Sequence, residues 1–467
     1  MSARVLMLSY DLVGPRMAGA GMRSWELAKV LSTHHPVVLA APEGSQSPER
    51  EARVEFATYV RYDGAAMQRL VESSDIVVAS GDSLLEFPFL LSCDKRFVMD
   101  VYDPHTLESL AWNEAGTLEE RLESYRDRLR VVRLQCALGD FFVCASERQR
   151  MMWLGWLEAT GRINPLTYER DHSLRRLIDI VATGIPAVPP QHTRRLVRGV
   201  VPGISPDDLL LVWGGGIWNW LDPLTLIRAV AQVAETHPRI RLYFPGPRHP
   251  YEAQVPDMAM HGAAVELAKA LGLWEKHVFV GEWVPYTSRQ NYLLEADAGC
   301  SLHFQSIESL FAFRTRVLDY IWADLPMIVT RGDATSELVK EYGLGVVVDY
   351  EDVGGVADAI RRLAETRKET FRPGFRQVQG TLSWEQNTAP LLAYCRDPER
   401  APDRDMPAGA NGGMAGIEQL VARQEEIAWL RSTISGYERG RFIRFMKWVH
   451  QTRQRLREKL GRQAAQA

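Results

Sequence analysis

Hydrophobic positions in this chain gather into short unbroken runs. Val5-Leu6-Met7-Leu8 is the first, and 37–40, 76–79, 97–99 and 141–143 repeat it. Short apolar runs without alternation mark strands buried on both faces. Helical stretches separate them, one over about 22–31 and a long charged one over about 118–138. From Leu209 the rhythm tightens. Strands are predicted at 209–213, 241–244, 278–280, 300–302, 327–329 and 346–348. Helices are predicted near 223–234, 265–271, 289–296, 336–341 and 356–364, with another running through Asp319. Such alternation builds parallel sheets through right-handed crossovers, so the expected fold class is α/β with two Rossmann-like sheets. Pro186, Pro189 and Pro190, beside a basic patch, interrupt the pattern and mark the join. The expected domains are 1–195 and 196–380.

The end of the chain reads differently. Residues 397–416 are rich in Pro, Gly and charge and predict a linker. Residues 417–467 predict a helical tail, and 438–462 carry nine Lys or Arg against Glu438 and Glu458, a net charge of +7. With Phe442, Phe445, Met446, Trp448 and Leu456 interleaved, this stretch suits an anionic membrane surface, or else a solvated or oligomerising helix. The whole chain, at 467 residues and a net charge of −4, has room for two or three domains and shows no nucleic-acid signature. Five scattered cysteines without a CxxC pair argue against a disulfide framework or zinc ribbon and fit a reducing compartment. The start shows no signal-peptide pattern and no window suits a membrane span, so a cytoplasmic location is expected.

Chemistry concentrates at predicted strand ends, where open α/β sheets bind ligands. After the strand at 300–302 comes Glu308–Pro326, which places Arg314 and Arg316 in the first turn of a helix and Asp319 one turn later. Two guanidiniums at a helix N-terminus suit a diphosphate, and a carboxylate one turn on suits ribose hydroxyls. Gly19 and Gly21, before the first helix, let backbone approach a phosphate. A dinucleotide fingerprint is disfavoured, since about ten residues separate the strand from these glycines. Gly214-Gly215-Gly216 follows the strand at 209–213, with Trp218 and Trp220 beyond; packing is favoured over sugar stacking for at least one of the two. Asp103 and His105 close an N-terminal strand. Asp403-Arg404-Asp405 sits in the expected linker and reads as chance; no metal-ligand cluster and no cofactor are expected.

The segment 308–326 resembles the donor-binding helix of retaining family-4 (group 1) glycosyltransferases, which have the GT-B fold. In that family a Glu-x7-Glu motif precedes a small residue, Leu and Pro. Here Asp319 matches the second acidic position, while Phe311 occupies the first and Glu308 lies three residues earlier. The resemblance implies two Rossmann-like domains facing across a cleft, with 381–396 as a crossover helix returning to the first. It implies metal-independent, retaining transfer from a nucleotide-sugar donor to a saccharide acceptor. Together with the basic tail it suggests a lipid-linked acceptor in surface polysaccharide assembly. Gly19, Gly21 and Arg23 resemble the family's Gly-Gly-x-x-Arg loop, Gly215 and Gly216 its first C-terminal loop, and Val284 its base-contacting loop. Asp103 and His105 fall where the family places groups near the reacting sugar, and Glu308 is expected to replace the first Glu. The two rival readings are a sugar-nucleotide epimerase on the same scaffold and a non-catalytic partner subunit.

Overall fold

The computed structural model describes residues 2–49, 53–112, 116–248, 258–404 and parts of 423–434. Seven parallel strands form the first sheet: β1 (Val5–Leu8), β2 (Val37–Pro42), β3 (Glu55–Tyr59), β4 (Ile76–Ser80), β5 (Arg96–Asp100), β6 (Phe141–Cys144) and β7 (Ile178–Ile180). Their order is β3-β2-β1-β4-β5-β6-β7. Six more form the second: β8 (Leu209–Val212), β9 (Ile240–Pro245), β10 (Val278–Gly281), β11 (Ala298–Ser301), β12 (Met327–Thr330) and β13 (Gly345–Val348), ordered β10-β9-β8-β11-β12-β13. In each sheet the order reverses beside the first strand, at β1/β4 and β8/β11, and a crevice opens outside the carboxyl ends there. The two-domain α/β architecture is the one expected from sequence.

Both unpredicted strands, β3 and β7, are sheet edges. The side chains of β3 are largely exposed or half-buried, and β7 is an Ile-Asp-Ile of three residues, so neither needs a continuous apolar run. Each domain has its own core. One apolar cluster fills the second domain, and two clusters cover the faces of the first sheet.

Two helix boundaries differ from expectation. The first helix spans Gly19–Ser32, so Gly19 and Gly21 lie in its opening turn and not in a loop. A Cβ on Gly21 would lie 2.3 Å from the Leu12 carbonyl oxygen, and this close approach seats the helix start against the loop after β1. The stretch through Asp319 is two helices, Ile307–Phe311 and Thr315–Trp322, because Ala312 and Arg314 adopt extended backbone between them.

After the second domain the chain crosses Gly184, where a Cβ would lie 2.6 Å from the Trp384 backbone. Trp384, Leu391, Leu392 and Cys395 then join the core of the first sheet, and Tyr394 stacks on Phe141 at 4.9 Å. Packing continues into the expected linker. Ala401 and Asp403 are buried, and Asp403 holds the buried Arg162 through Nε and Nη2 at 2.6 and 3.1 Å. Asp403 is therefore a structural residue, and ordered packing runs into the start of the stretch read from sequence as a linker. The basic stretch 438–462 lies outside the described residues.

Candidate active site

The cleft holds a cavity of about 290 Å³ lined from both domains. The second domain contributes Gly214–Gly216 after β8 and Arg314, Thr315, Arg316 and Asp319 from the helix Thr315–Trp322. Two helix N-termini meet here. A Cβ on Gly19 would lie 3.8 Å from Thr315 Oγ1, and neither helix is capped by a side chain at Ala18 or Arg314. Uncapped N-termini leave backbone N–H groups available to an anion.

Arg316 is the distinctive group. Its Nη2 donates to the Gly216 carbonyl at 2.9 Å and its guanidinium lies over the Trp213 ring at 4.8 Å. Nη1 is buried without a hydrogen-bond partner. Burial pulls its pKa down to about 10, and Arg314 adds to the effect. Among the described residues no carboxylate pairs with it. A desolvated cation with a free donor attracts an anionic ligand.

Arg314 is differently placed. Its two terminal nitrogens donate to Glu308 at 2.9 and 2.7 Å, and its Nε lies 3.7 Å from Asp333. Glu308 is itself buried and does not line the cavity. This carboxylate holds Arg314 in position, and only one of the two expected guanidiniums is without a counter-ion. Asp319 lines the cavity but pairs with Arg289 at 3.0 Å, and Arg289 lies over the rings of Tyr286 and Trp322. Gly215 has a left-handed φ of 76° with open space around it, and Gly216 supplies the carbonyl that orients Arg316.

Arg23, expected at the donor, is 1% exposed and bound to Asp100 through Nε and Nη2 at 2.7 and 2.9 Å. It packs over Tyr102 and is absent from the cavity lining, so it shapes the wall without reaching a ligand. Gly21 and Val284 also fall outside the lining. Beside Val284, Tyr286 donates its hydroxyl to Glu26 of the first domain at 2.7 Å and its backbone N–H to Pro15 at 2.6 Å.

The first domain contributes Tyr10, Tyr102, Asp103, Glu108 and Trp112 to the cavity wall. Asp103 accepts from Tyr10 at 3.1 Å and from Tyr102. Burial raises its pKa, and burial followed by the charges of Asp103 and Glu308 raises that of Glu108 well above the ordinary range. His105 stands edge-on to Tyr10 at 5.8 Å, and burial lowers its pKa. Asp103, His105 and Glu108 bring ligand-capable atoms within 4.8 Å of one another, a grouping the sequence reading did not foresee. Asp103 is thus hydrogen-bonded to phenols, and burial works against the charged form of both carboxyls and of the imidazole. Glu108 lies three residues past His105 on the same helix, so helical spacing was a usable signal for it. Nothing in sequence pointed to Trp112, which meets Trp218 and Trp220, or to Arg289, whose carboxylate partner Asp319 lies thirty residues on.

Residues 208–366 match the sequence model of the group 1 glycosyl transferases. No curated protein sequence matches the chain. Among solved structures, sucrose-phosphate synthase from Thermosynechococcus elongatus is similar with a TM-score of 0.58 at 14% identity, covering 84% of this chain and 98% of that one. Anabaena HepE, in complex with UDP and glucose, has a TM-score of 0.55 at 12% identity, covering 84% and 99%. WaaG, a glycosyltransferase involved in lipopolysaccharide biosynthesis, has a TM-score of 0.54 at 15% identity, covering 85% and 100%. Residues 208–366 thus resemble a group 1 glycosyl transferase domain, within a chain of GT-B fold.

Proposed function

We propose that the protein transfers a hexosyl group from a nucleoside diphosphate sugar to a saccharide acceptor, with retention of anomeric configuration. The observation that carries this is Arg316, a desolvated guanidinium with an unpartnered Nη1 at the meeting point of two uncapped helix N-termini. A diphosphate there would receive charge-assisted hydrogen bonds that strengthen as the glycosyl bond breaks and negative charge grows on the leaving oxygen. Arg314, fixed by Glu308, faces the same cavity, and the carboxylate of Asp319 on its wall supports a ribose contact. Calorimetric titration with UDP, GDP, dTDP and ADP tests the donor assignment. One of them is expected to bind, and Arg316→Ala is expected to abolish detectable binding and lower turnover by about 10²–10³. Unchanged binding in that variant, or no binding to any of the four, would sink the reading.

The reaction is proposed to need no divalent ion, because the groups facing the diphosphate are a guanidinium and helix ends. EDTA is expected to leave turnover unchanged; loss that Mg²⁺ or Mn²⁺ restores would instead give Asp103, His105 and Glu108 a cation. A lipid-linked acceptor in surface polysaccharide assembly, met at the inner face of the membrane, is supported by the basic, aromatic-bearing sequence 438–462. Binding to anionic liposomes should then disappear when 417–467 is deleted, and unchanged co-sedimentation would remove that element. No described helix is long and apolar enough to cross a membrane.

A further inference from the structure

One wall of the cleft is built for something other than a phosphate. Trp112, at the end of the first-domain helix His105–Trp112, stacks on Trp218 at 5.9 Å and leans on Trp220 at 6.2 Å. Trp218 and Trp220 stack on each other at 5.7 Å with their planes 6° apart. Asn219 secures the trio by donating to the carbonyls of Ala111 and Trp112 at 3.1 and 3.4 Å while accepting from the Met260 N–H. Each indole is half-buried and lines the cavity. The result is a pre-ordered aromatic surface drawn from both domains, at the mouth of a pocket whose far end is cationic.

Beside the indoles stand Tyr10, Tyr102, Asp103 and Glu108. Among the described lining residues the only cations are Arg314, bound to Glu308, and Arg316, seated on Gly216 at the donor end. His105 adjoins this wall and burial disfavours its charged form. Arg128, which faces His105, is occupied by Asp82 at 2.6 and 3.1 Å.

We infer that this wall is an acceptor subsite for an uncharged pyranose, which lays an apolar C–H face against the tryptophans and turns its hydroxyls to Asp103 and Glu108. The inference rests on the transferase reading and specifies its acceptor. Aromatic surface with a few convergent polar groups is how concave sites hold amphipathic ligands. A protonated carboxyl can donate to one hydroxyl while a neighbouring carboxylate accepts from the next. A phosphoryl or carboxylate group on the acceptor would face Asp103 and Glu108, and the nearest cation, Arg314, is already paired with Glu308, so the wall selects against it by repulsion.

The test uses intrinsic tryptophan fluorescence of the full chain, with and without the best-binding nucleoside diphosphate. The ligands are methyl glucoside, galactoside, mannoside and N-acetylglucosaminide, and the 6-phosphates of the same sugars. At least one uncharged pyranoside is expected to bind, and its phosphate at least about tenfold more weakly. Trp112→Ala and Glu108→Gln should each weaken the uncharged ligand by about tenfold with nucleotide affinity unchanged, Trp112→Phe should retain it, and Glu108→Lys should shift preference towards the phosphate. The inference is overturned if a phosphorylated sugar binds as tightly as its parent, if no uncharged pyranoside binds, or if Trp112→Ala binds normally. Loss of nucleotide binding in the unsubstituted chain would instead overturn the transferase reading, and the titration without nucleotide still reads the pyranoside preference.

Discussion

Buried charges in this protein fall into two groups with different consequences. Arg23, Arg162 and Arg314 each sit in a two-pronged pair with a buried carboxylate, so their charge is matched within the fold. Arg316 has no such partner and faces the cleft. Removing one member of a buried pair strands the other, at about 3–5 kcal/mol. Arg23→Ala should therefore lose about that much stability in urea denaturation while the folded protein keeps its nucleotide affinity. The reverse result, normal stability with lost nucleotide binding, would return Arg23 to the donor site. Glu86 supplies a pH test. Burial, only partly countered by Arg61, moves its pKa from 4.5 to about 7, so the folded state holds this proton more tightly than the unfolded chain. The contribution of Glu86 to stability is then fully present below about 4.5 and is lost as pH rises through about 7. Glu86→Gln should flatten that slope in denaturation curves taken across the window, and an undiminished slope would show that another group titrates there.

At the scale of elements, the site is made by helix ends. Ala18 and Arg314 lack the side-chain oxygen that caps a helix, whereas Thr117, Ser146, Asp222 and Asp333 cap theirs. These missing caps show only once the helix starts are fixed by the structure, and their meaning depends on the two ends facing one cavity. Gly21 secures one of those ends, since its Cα lies where any side chain would strike the Leu12 carbonyl. Gly21→Ala should destabilise the protein by about 1–3 kcal/mol in thermal unfolding and weaken nucleotide binding by displacing the first turn. Full affinity in that variant would show that the N-terminus of this helix does not contact the ligand. The break at 312–314 matters in the same way. It separates two helices so that Arg314 can fold back on Glu308 while Arg316 points to Gly216, an assignment that an Arg-x-Arg spacing alone leaves open.

Across the whole molecule, the two domains are tied at several points around the cleft. Gln149 donates to Tyr102 and to Phe311 at 2.6 and 2.9 Å, Tyr286 reaches Glu26, and Arg148 contacts Gly332 and Glu337. The returning segment binds the first sheet to the end of the second domain through Trp384 and Leu391. Alternation of short apolar runs with helical stretches was enough to specify two parallel sheets, because burial on both faces of a strand is a local property of its residues. Edge strands β3 and β7 escaped, since one open side removes the need for a continuous apolar run. By itself the sequence determined the α/β class, the two-domain division and the strand ends that line the cleft. Only the tertiary structure decided which arginine lacks a counter-ion, that Asp403 is a core residue, and that Trp112 meets Trp218 and Trp220. Those outcomes turn on distances of a few ångströms between segments far apart in the chain, and local periodicity carries no record of them.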